Sequence, residues 1–258
     1  MVADLFGVSP LLIEAAANRI PQDFSPLTVG APSAWRDALG LEWVGAAGGP
    51  PINLRPGPIW RDAVARQVVP RLPGRWLARD YDLVRLPASP VTCLVSPGRL
   101  SGHAVICPMY IPDQFSLQFS VGLRSAVNDR APDPIEPLLA ELTGVALPFF
   151  DRYGHPDGLR ALCRERVDAA PAGHVNPHDL RCLAATEVVL GRYAEAAASY
   201  ASLAERAAGA SQDWLKELGE EARARSVLLL HEPTVVHDAL RATIDRQVSK
   251  GGLEAPQP

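Results

Sequence analysis

The chain has 258 residues, of which 47% are hydrophobic and 21% are charged. This composition excludes a wholly disordered chain, because the apolar side chains suffice to offset the entropy lost on folding. The net charge of −4 excludes binding of nucleic acid through overall positive charge, and the 25 prolines and 20 glycines predict many loops.

The N-terminal sequence and the cysteines both bear on the compartment. A secretory signal begins with positive charge and continues as a long apolar run, whereas Asp4 comes first here and Glu14 interrupts the apolar stretch. No run approaches the ~18 apolar residues of a membrane span. The cysteines are too few for a disulfide scaffold and form no C-x-x-C pair: Cys93, Cys107, Cys163 and Cys182. We therefore expect a reduced, cytoplasmic protein without a membrane segment.

Residues 1–54 predict an N-terminal extension and linker. Ser9 and Pro10 are typical of a helix N-cap and first helical residue, so a short helix is expected after them. The glycine- and proline-rich residues 45–51 predict a linker. The apolar side chains of this extension are too few for a core of its own, and we expect them to pack on the neighbouring domain.

Residues 55–132 predict an α+β domain that begins with a helix. Trp60, Val64 and Val68 recur at four-residue spacing, which is the period of one helix face. Residues 76–86 combine aromatic and branched apolar side chains and predict a strand. A helix followed by strands favours a sheet with the helix on its buried side.

Three further segments predict the rest of this sheet. The apolar runs at 91–95 and 103–107 flank a turn-rich stretch, so we predict a hairpin that places Cys93 roughly opposite Cys107. Apolar and polar residues alternate from 115 to 123, which indicates a strand with one buried and one wet face. The fold class is therefore α+β, with a small antiparallel sheet.

Residues 133–250 predict a helical domain, and residues 251–258 predict a disordered tail. Gly144 is expected to interrupt the first helix, and the chain from Pro177 onward is wholly helical in pattern. Asn176 is a good N-cap, with Pro177 at the first helical position. The helical C-terminal half therefore completes the predicted architecture.

One part of this half has the pattern of a helical hairpin. A hairpin needs a small residue where two helices cross, a glycine at the turn, an aromatic residue beside it and small residues on the second helix. Ala184, Gly191, Tyr193 and Ala196 meet these needs in order, and Tyr200 follows as an outward aromatic. The spacing G-x-Y-x-x-A-x-x-x-Y resembles a tetratricopeptide unit.

This resemblance covers residues 180–207 and extends to a second, degenerate unit. Trp214 stands 34 residues after Leu180, at the period of the family, while three residues replace the later pattern positions: Val227, Leu230 and Thr234. The resemblance implies two stacked helical hairpins that bind a protein partner, with Tyr193, Tyr200 and Trp214 as candidate binding residues. The alternative is that these hairpins are simply part of the hydrophobic core.

The middle of the chain resembles another family. The order of a helix, a twisted sheet and the segment YIPDQFSLQFSVGLR resembles the DUF4304-type class of uncharacterised bacterial proteins, through residues 59–72, 81–86 and 110–123. The resemblance implies a bacterial α+β domain of unknown activity, of the kind found near toxin-immunity or defence genes. It supplies no catalytic residue.

Candidate chemistry is sparse. His174, His178 and Cys182 are spaced by four residues, but no fourth ligand is near, so we predict no metal site. The chain has no P-loop and no G-x-G-x-x-G motif, so we predict no cofactor. No G-x-S-x-G motif marks a nucleophile, and His103 with Asp113 fits a strand edge and a turn better than an acid–base pair.

Three functions from different classes remain after these exclusions. The first is a non-catalytic, cytoplasmic protein-interaction or regulatory protein, whose oligomeric state the sequence leaves open. The second is an enzyme with a pocket where the two halves meet, at residues 149–153, which include Phe150, Arg152 and Tyr153 and mix aromatic and charged groups. The alternative for this segment is a packed hinge between the halves, which we favour. The third is a weak nucleic-acid binder.

The basic middle region is the basis of that third function. Residues 55–130 carry ten arginines against five acidic residues, and residues 133–258 carry 13 basic against 19 acidic residues. Basic segments with aromatic residues can bind nucleic acid. We favour instead an intramolecular role, in which a positive domain docks on a negative helical half, and we do not expect nucleic acid as a partner.

Overall fold

The computed structural model describes residues 62–79, 82–96, 102–111, 119–123, 135–171, 174–251 and 253. A small antiparallel sheet followed by a helical half confirms the predicted α+β class. The predicted extension at 1–54, the first part of the alternating strand at 115–118 and the tail beyond Leu253 lie outside the described residues.

Five strands pair in chain order, and every pair is antiparallel. They are β1 (Arg75–Arg79), β2 (Asp82–Leu86), β3 (Val91–Ser96), β4 (Gly102–Pro108) and β5 (Ser120–Leu123). The prediction of a single strand over 76–86 is wrong, because Leu77 pairs with Val84 across a hairpin. Apolar composition marks both arms of a hairpin alike and does not reveal where the chain reverses.

The register between β3 and β4 also differs from the prediction. Cys93 pairs with Ile106, and Thr92 pairs with Cys107. Since neighbouring residues of a strand point to opposite faces, the two thiols lie on opposite faces of the sheet, and the expected Cys93–Cys107 pairing is wrong by one residue. The connection between two strands sets their register, and apolar patterning does not specify it.

One face of the sheet forms the core with the helices around it. Before β1, the chain forms a π-helical turn (Val64–Val68) and a 3-10 turn (Val69–Arg71). The buried side chains of the sheet on this face are Leu83, Cys93, Val95, Ala104 and Ile106. The helix predicted on the buried side of the sheet is thus present in its described part, since Val64 and Val68 belong to the same core.

The first long helical segment is continuous. It consists of α1 (Ile135–Glu141), a π-helical turn (Leu142–Ala146) and α2 (Leu147–Tyr153). The prediction that Gly144 interrupts this helix is wrong, because Gly144 lies within the π-helical turn. A Cβ atom at Gly144 would meet nothing within 4 Å, so the residue sits on an open side of the helix.

Five helices complete the chain. They are α3 (Pro156–Ala169), α4 (Pro177–Val189), α5 (Tyr193–Ala207), α6 (Asp213–His231) and α7 (Pro233–Gly251). The start of α4 follows the predicted capping, since Asn176 Oδ1 accepts a hydrogen bond from His178 N at 2.9 Å. Pro177 is the first residue of that helix.

Helix α4 is the central element of the molecule. It packs against α3, α5 and α7, and its residues from Cys182 to Val188 are all buried. Thr186 on this helix forms a buried hydrogen bond of 2.7 Å with the hydroxyl of Tyr110, which follows strand β4. The sheet and the helices therefore share one interior.

The predicted hairpin between α4 and α5 is confirmed. Ala184 and Ala196 are both fully buried, as expected for small residues where helices cross. Gly191 lies in the turn between the helices with a φ of 71°, in the left-handed region that favours glycine. The small residues and the turn glycine thus occupy the places that the sequence assigned to them.

The second hairpin does not keep the period of the first. Thirty-four residues after Gly191 stands Arg225, which lies inside α6, and the chain turns only at Glu232. Helix α7 then returns to the first hairpin, where the ring of His237 meets that of Tyr193 edge-on at 6.4 Å. The two hairpins therefore close into a bundle.

Candidate functional site

A buried carboxylate joins three helices of the bundle. The side chain of Glu187 on α4 is fully buried. It accepts hydrogen bonds from Arg160 Nε at 3.2 Å and from Arg164 Nη2 at 2.7 Å, both on α3. Its second oxygen accepts from Ser199 Oγ on α5 at 2.7 Å. With three donors around it, this group is satisfied by its own neighbours and acts as a structural tie.

The predicted binding residue Tyr200 lies inside the bundle. Its side chain is 1% exposed, and its hydroxyl accepts a hydrogen bond from Arg225 Nη1 on α6 at 3.1 Å. Burial raises the pKa of this hydroxyl, while Arg225 opposes the shift. Ser226 Oγ donates to Ala197 O at 2.9 Å beside it. Tyr200 therefore fixes α6 on α5 and has no surface to offer a partner.

Tyr193 and Trp214 are half-buried and have intramolecular partners. The Trp214 ring stacks on the imidazole of His178, with centroids 5.4 Å apart and an angle of 3° between planes. Burial lowers the pKa of His178, and the nearby Arg181 lowers it further. Tyr193 packs against His237 of α7. Both aromatic residues therefore remain partly exposed to solvent beside an intramolecular partner.

The three junction residues are placed differently from one another. Phe150 is buried against Trp76, with ring centroids 6.3 Å apart. Arg152 is exposed and lies over the Tyr153 ring, with its guanidinium carbon 4.7 Å from the centroid. Arg152 also contacts Glu165 at 3.5 Å. The structure thus brings Arg152 and Tyr153 together at the surface and places Phe150 in the core.

A cavity of about 310 Å³ opens beside this junction. It lies between the β2–β3 connection and the turn that joins α2 to α3. Its lining consists of Arg85, Leu86, Pro87, Ser89, Pro90, Val91, Cys93, Gly154, His155 and Pro156. At its edge, Arg85 Nη1 forms an ion pair with Asp151 Oδ1 at 2.6 Å. The sequence indicated a pocket at residues 149–153, but none of these residues lines the cavity, which begins next to them at Gly154.

The groups that line the cavity are not arranged for nucleophilic chemistry. Cys93 Sγ donates to the carbonyl of Gly154 at 3.8 Å, and burial raises the pKa of this thiol to about 12 despite the nearby Arg85. The imidazole of His155 caps α3, because its Nδ1 accepts from Gly158 N at 3.1 Å. A thiol attacks as the thiolate, so Cys93 is held in its unreactive form.

This arrangement predicts that Cys93 resists alkylation. In the native protein at neutral pH, we expect iodoacetamide to modify Cys93 far more slowly than in the protein unfolded by denaturant, because the native thiol is buried and protonated. Peptide mass spectrometry after timed quenching measures the rate. Modification at the rate of the unfolded chain would mean that the thiol is accessible and activated.

Ion pairs connect the basic middle region to the helical half. The guanidinium of Arg71 binds Glu136 on α1 through two contacts, one of them 3.0 Å long, and this hydrogen bonding lowers the pKa of Glu136. Arg85 forms a single contact with Asp151 on α2, from Nη1 to Oδ1 at 2.6 Å. Two arginines of the basic segment are therefore paired within the chain, in keeping with the intramolecular role that we favoured for its charge.

A different feature stands out on the surface of the last two helices. The large hydrophobic side chains that are exposed in the described part of the chain are Val227 (53%), Leu228 (38%), Leu230 (67%) and Val235 (48%). They lie within nine residues of sequence, at the turn between α6 and α7. We call these four residues the α6–α7 apolar corner.

A sequence signal for this corner exists. Successive residues of an α-helix are rotated by about 100°, so the four apolar residues from Val227 to Leu230 cover most of the helix circumference. One helix can bury only part of that circumference against a single layer of neighbours, and the structure buries Leu229. In the repeat pattern, Val227 and Leu230 stand where the turn aromatic and the small crossing residue are expected, which obscured this signal.

The described residues were also examined for metal-binding clusters and for membrane-spanning helices. In the described ranges, no group of three or more histidine, cysteine, aspartate or glutamate side chains could hold a metal ion. Cys182, one of the three residues weighed for zinc, contacts the hydroxyl of Thr186 at 3.9 Å in the core. Among the described helices, none is long and apolar enough to cross a membrane.

Comparison of the chain with protein-family models, with curated proteins and with solved structures finds no match.

Proposed function

We propose that this chain is a non-catalytic protein-binding protein whose contact surface is the α6–α7 apolar corner. The observation that carries the proposal is the clustering at this corner of the large hydrophobic side chains exposed in the described residues. Contiguous exposed apolar surface on a folded protein marks a site of interaction, because water disfavours it in the free state.

The position of the corner in the bundle supports this function. The last hairpin of a helical stack normally presents a polar outer face to solvent. Helices α6 and α7 form the last hairpin that the structure describes, and they present Leu230 and Val235 to solvent. An apolar outer face of this kind is expected where a partner protein covers the hairpin.

The corner rests on a firm base, which favours binding at low entropic cost. Helix α6 is held on α5 by the Arg225–Tyr200 and Ser226–Ala197 hydrogen bonds, which lie one turn or less before Val227. Leu229 is buried between the exposed residues and anchors them to the core. The end of α6 that carries the exposed apolar side chains is therefore fixed on the bundle.

The test is affinity capture with three forms of the full chain. Leu230→Glu introduces charge at the centre of the corner, and Ala194→Glu introduces the same charge at an exposed position on α5. We expect wild type and Ala194→Glu to retain the same set of bound proteins from a lysate of the source cells, and Leu230→Glu to lose it. Equal capture by all three forms would contradict the proposal.

A second candidate function is binding of a small molecule in the junction cavity, with or without catalysis. The observation that favours it is the volume of about 310 Å³, which reaches the lower end of the range for ligand pockets, together with a lining of mixed polar and apolar groups. Ser89→Trp would fill the cavity from an exposed lining position. Ligands found by thermal-shift screening of wild type should lose their effect in this variant if they bind there.

A further inference from the structure

We propose that the partner of the α6–α7 surface is a second copy of this chain, bound through antiparallel pairing of the two α7 helices about a twofold axis. This inference rests on the proposed function, because it identifies the protein that covers the apolar corner. It names a symmetric homodimer, in which the same surface of each copy meets its counterpart.

One face of helix α7 is left exposed by the described part of the chain. Its inner face carries Val236, Leu240 and Thr243, which are buried against the bundle. On its outer side, one stripe consists of the exposed residues Val235, Asp238, Ala239, Ala242 and Arg246, and further exposed residues lie beside it: Thr234, Arg241, Asp245, Ser249 and Lys250. The spacing of this exposed set by three and four residues forms one stripe along the helix.

The charges on this stripe are self-complementary. Asp238 and Arg246 stand four residues before and four residues after Ala242. If two α7 helices run antiparallel with Ala242 against Ala242, Asp238 of each copy faces Arg246 of the other. Two ion pairs then flank the axis, and Ala242 allows the helix backbones to approach closely at its centre.

The present partners of these two side chains leave them available. Arg246 Nη2 donates to the neutral hydroxyl of Thr243 at 3.0 Å, and no carboxylate of the described residues pairs with it. The Asp238 carboxylate, 76% exposed, lies 3.7 Å from the imidazole of His237. An ion pair across the axis therefore adds a full opposite charge to each group and breaks no existing ion pair with lysine or arginine.

The same arrangement reaches the apolar corner. Helix α7 has 19 residues and is about 28 Å long at 1.5 Å per residue. With Ala242 at the axis, Val235 of one copy lies opposite Ser249 of the other, so the C-terminal end of each α7 passes beside the corner of its counterpart. Val235, the corner residue that lies on α7, is therefore part of the paired surface.

The test is a charge-reversal series followed by sedimentation equilibrium of the full chain. We expect wild type to form a dimer of twice 27.7 kDa. Asp238→Arg and Arg246→Asp should each raise the dimer dissociation constant about tenfold or more, because symmetry creates two like-charge contacts at once. The double variant, with both charges exchanged, should restore the wild-type dissociation constant.

The rescue can arise only between copies. Asp238 and Arg246 are eight residues apart in one helix, about 12 Å along its axis, so they do not pair within a chain. Asp168→Arg, at an exposed position on α3, is the matched control for the charge change and should leave the dimer intact. Circular dichroism and thermal unfolding of each variant show whether it remains folded.

Two results would overturn the inference, and they are distinct from failure of the proposed function. A wild-type chain that is monomeric at every concentration would exclude the homodimer, yet loss of captured proteins by Leu230→Glu would still uphold binding at the corner. A dimer that is insensitive to both single reversals and to Leu230→Glu would form through another surface. In that case both the homodimer described here and its role at the corner would be wrong.

Discussion

Glu187→Ala is expected to lower the free energy of unfolding by about 3 kcal/mol, which corresponds to a fall in melting temperature of roughly 6–12 °C. The substitution removes the acceptor shared by Arg160 and Arg164 on α3 and by Ser199 on α5. Loss of one partner from a buried ion pair costs about 3–5 kcal/mol. The lower part of that range applies because both guanidinium groups remain partly exposed to water.

Chemical denaturation with a two-state analysis measures this change, and two variants sharpen it. Glu187→Gln keeps the shape of the side chain but removes its charge, and should lose about 2 kcal/mol. Glu195→Ala removes an exposed carboxylate that contacts Arg192 at 3.7 Å, and should change stability by less than about 1 kcal/mol. If Glu187→Ala were as mild as Glu195→Ala, the buried carboxylate would not tie the three helices together.

Gly158→Ala is expected to destabilise the protein by about 2–3 kcal/mol, through overlap with the backbone. Gly158 lies in the first turn of α3, where the end of α2 passes very close. An added Cβ atom would overlap the carbonyl oxygen of Arg152 and would stand 2.9 Å from Tyr153 Cα. These are backbone atoms, so relief requires that the turn between α2 and α3 move apart.

A matched glycine provides the control for this substitution. Gly144 is also in a helical segment, but a Cβ atom there meets nothing within 4 Å. Gly144→Ala should therefore leave stability unchanged or raise it by up to about 1 kcal/mol, because alanine favours helical backbone. Thermal unfolding of both variants under one condition gives the comparison. Equal effects of the two substitutions would show that the close approach of α2 and α3 is not rigid.

Local signals in the sequence predicted much of the helical half. The Asn176–Pro177 cap and the Ala184, Gly191 and Ala196 positions of the first hairpin depend on neighbours within one or two turns, and they were predicted correctly. Each of these residues has a conformational or steric reason to be where it is, and that reason acts over a short stretch of chain. Local signals of this kind do not depend on how the rest of the chain folds.

Features that apolar periodicity does not specify were not predicted. The β3–β4 register depends on the length and path of the connection, so Cys93 and Cys107 were paired wrongly. The cluster around Glu187 joins residues from three helices, and no periodicity distinguishes that glutamate from an exposed one. Tyr200 has the same type and spacing whether it faces a partner or the core, and its burial depends on α6.

The candidate surface illustrates the same limit. The run from Val227 to Leu230 contains more apolar side chains than one layer of neighbours can bury, yet the repeat pattern placed two of them at the hairpin turn and the helix crossing. The structure continues α6 to His231 and turns at Glu232, which carries these residues to the outside. The end of α6 depends on where the following helix can pack. Here that helix is α7, which packs against α4, far earlier in the chain.

The hydrogen bond between Tyr110 and Thr186 predicts how the protein responds to truncation between the sheet and the helical half. That bond joins the segment between β4 and β5 to the central helix inside a common interior. A cut between the sheet and the helical half would therefore expose the apolar surroundings of both hydroxyls. Truncated fragments of either half would present this interior to water and would tend to aggregate. The chain should accordingly melt in a single cooperative transition, and its activities should be sought in the intact polypeptide.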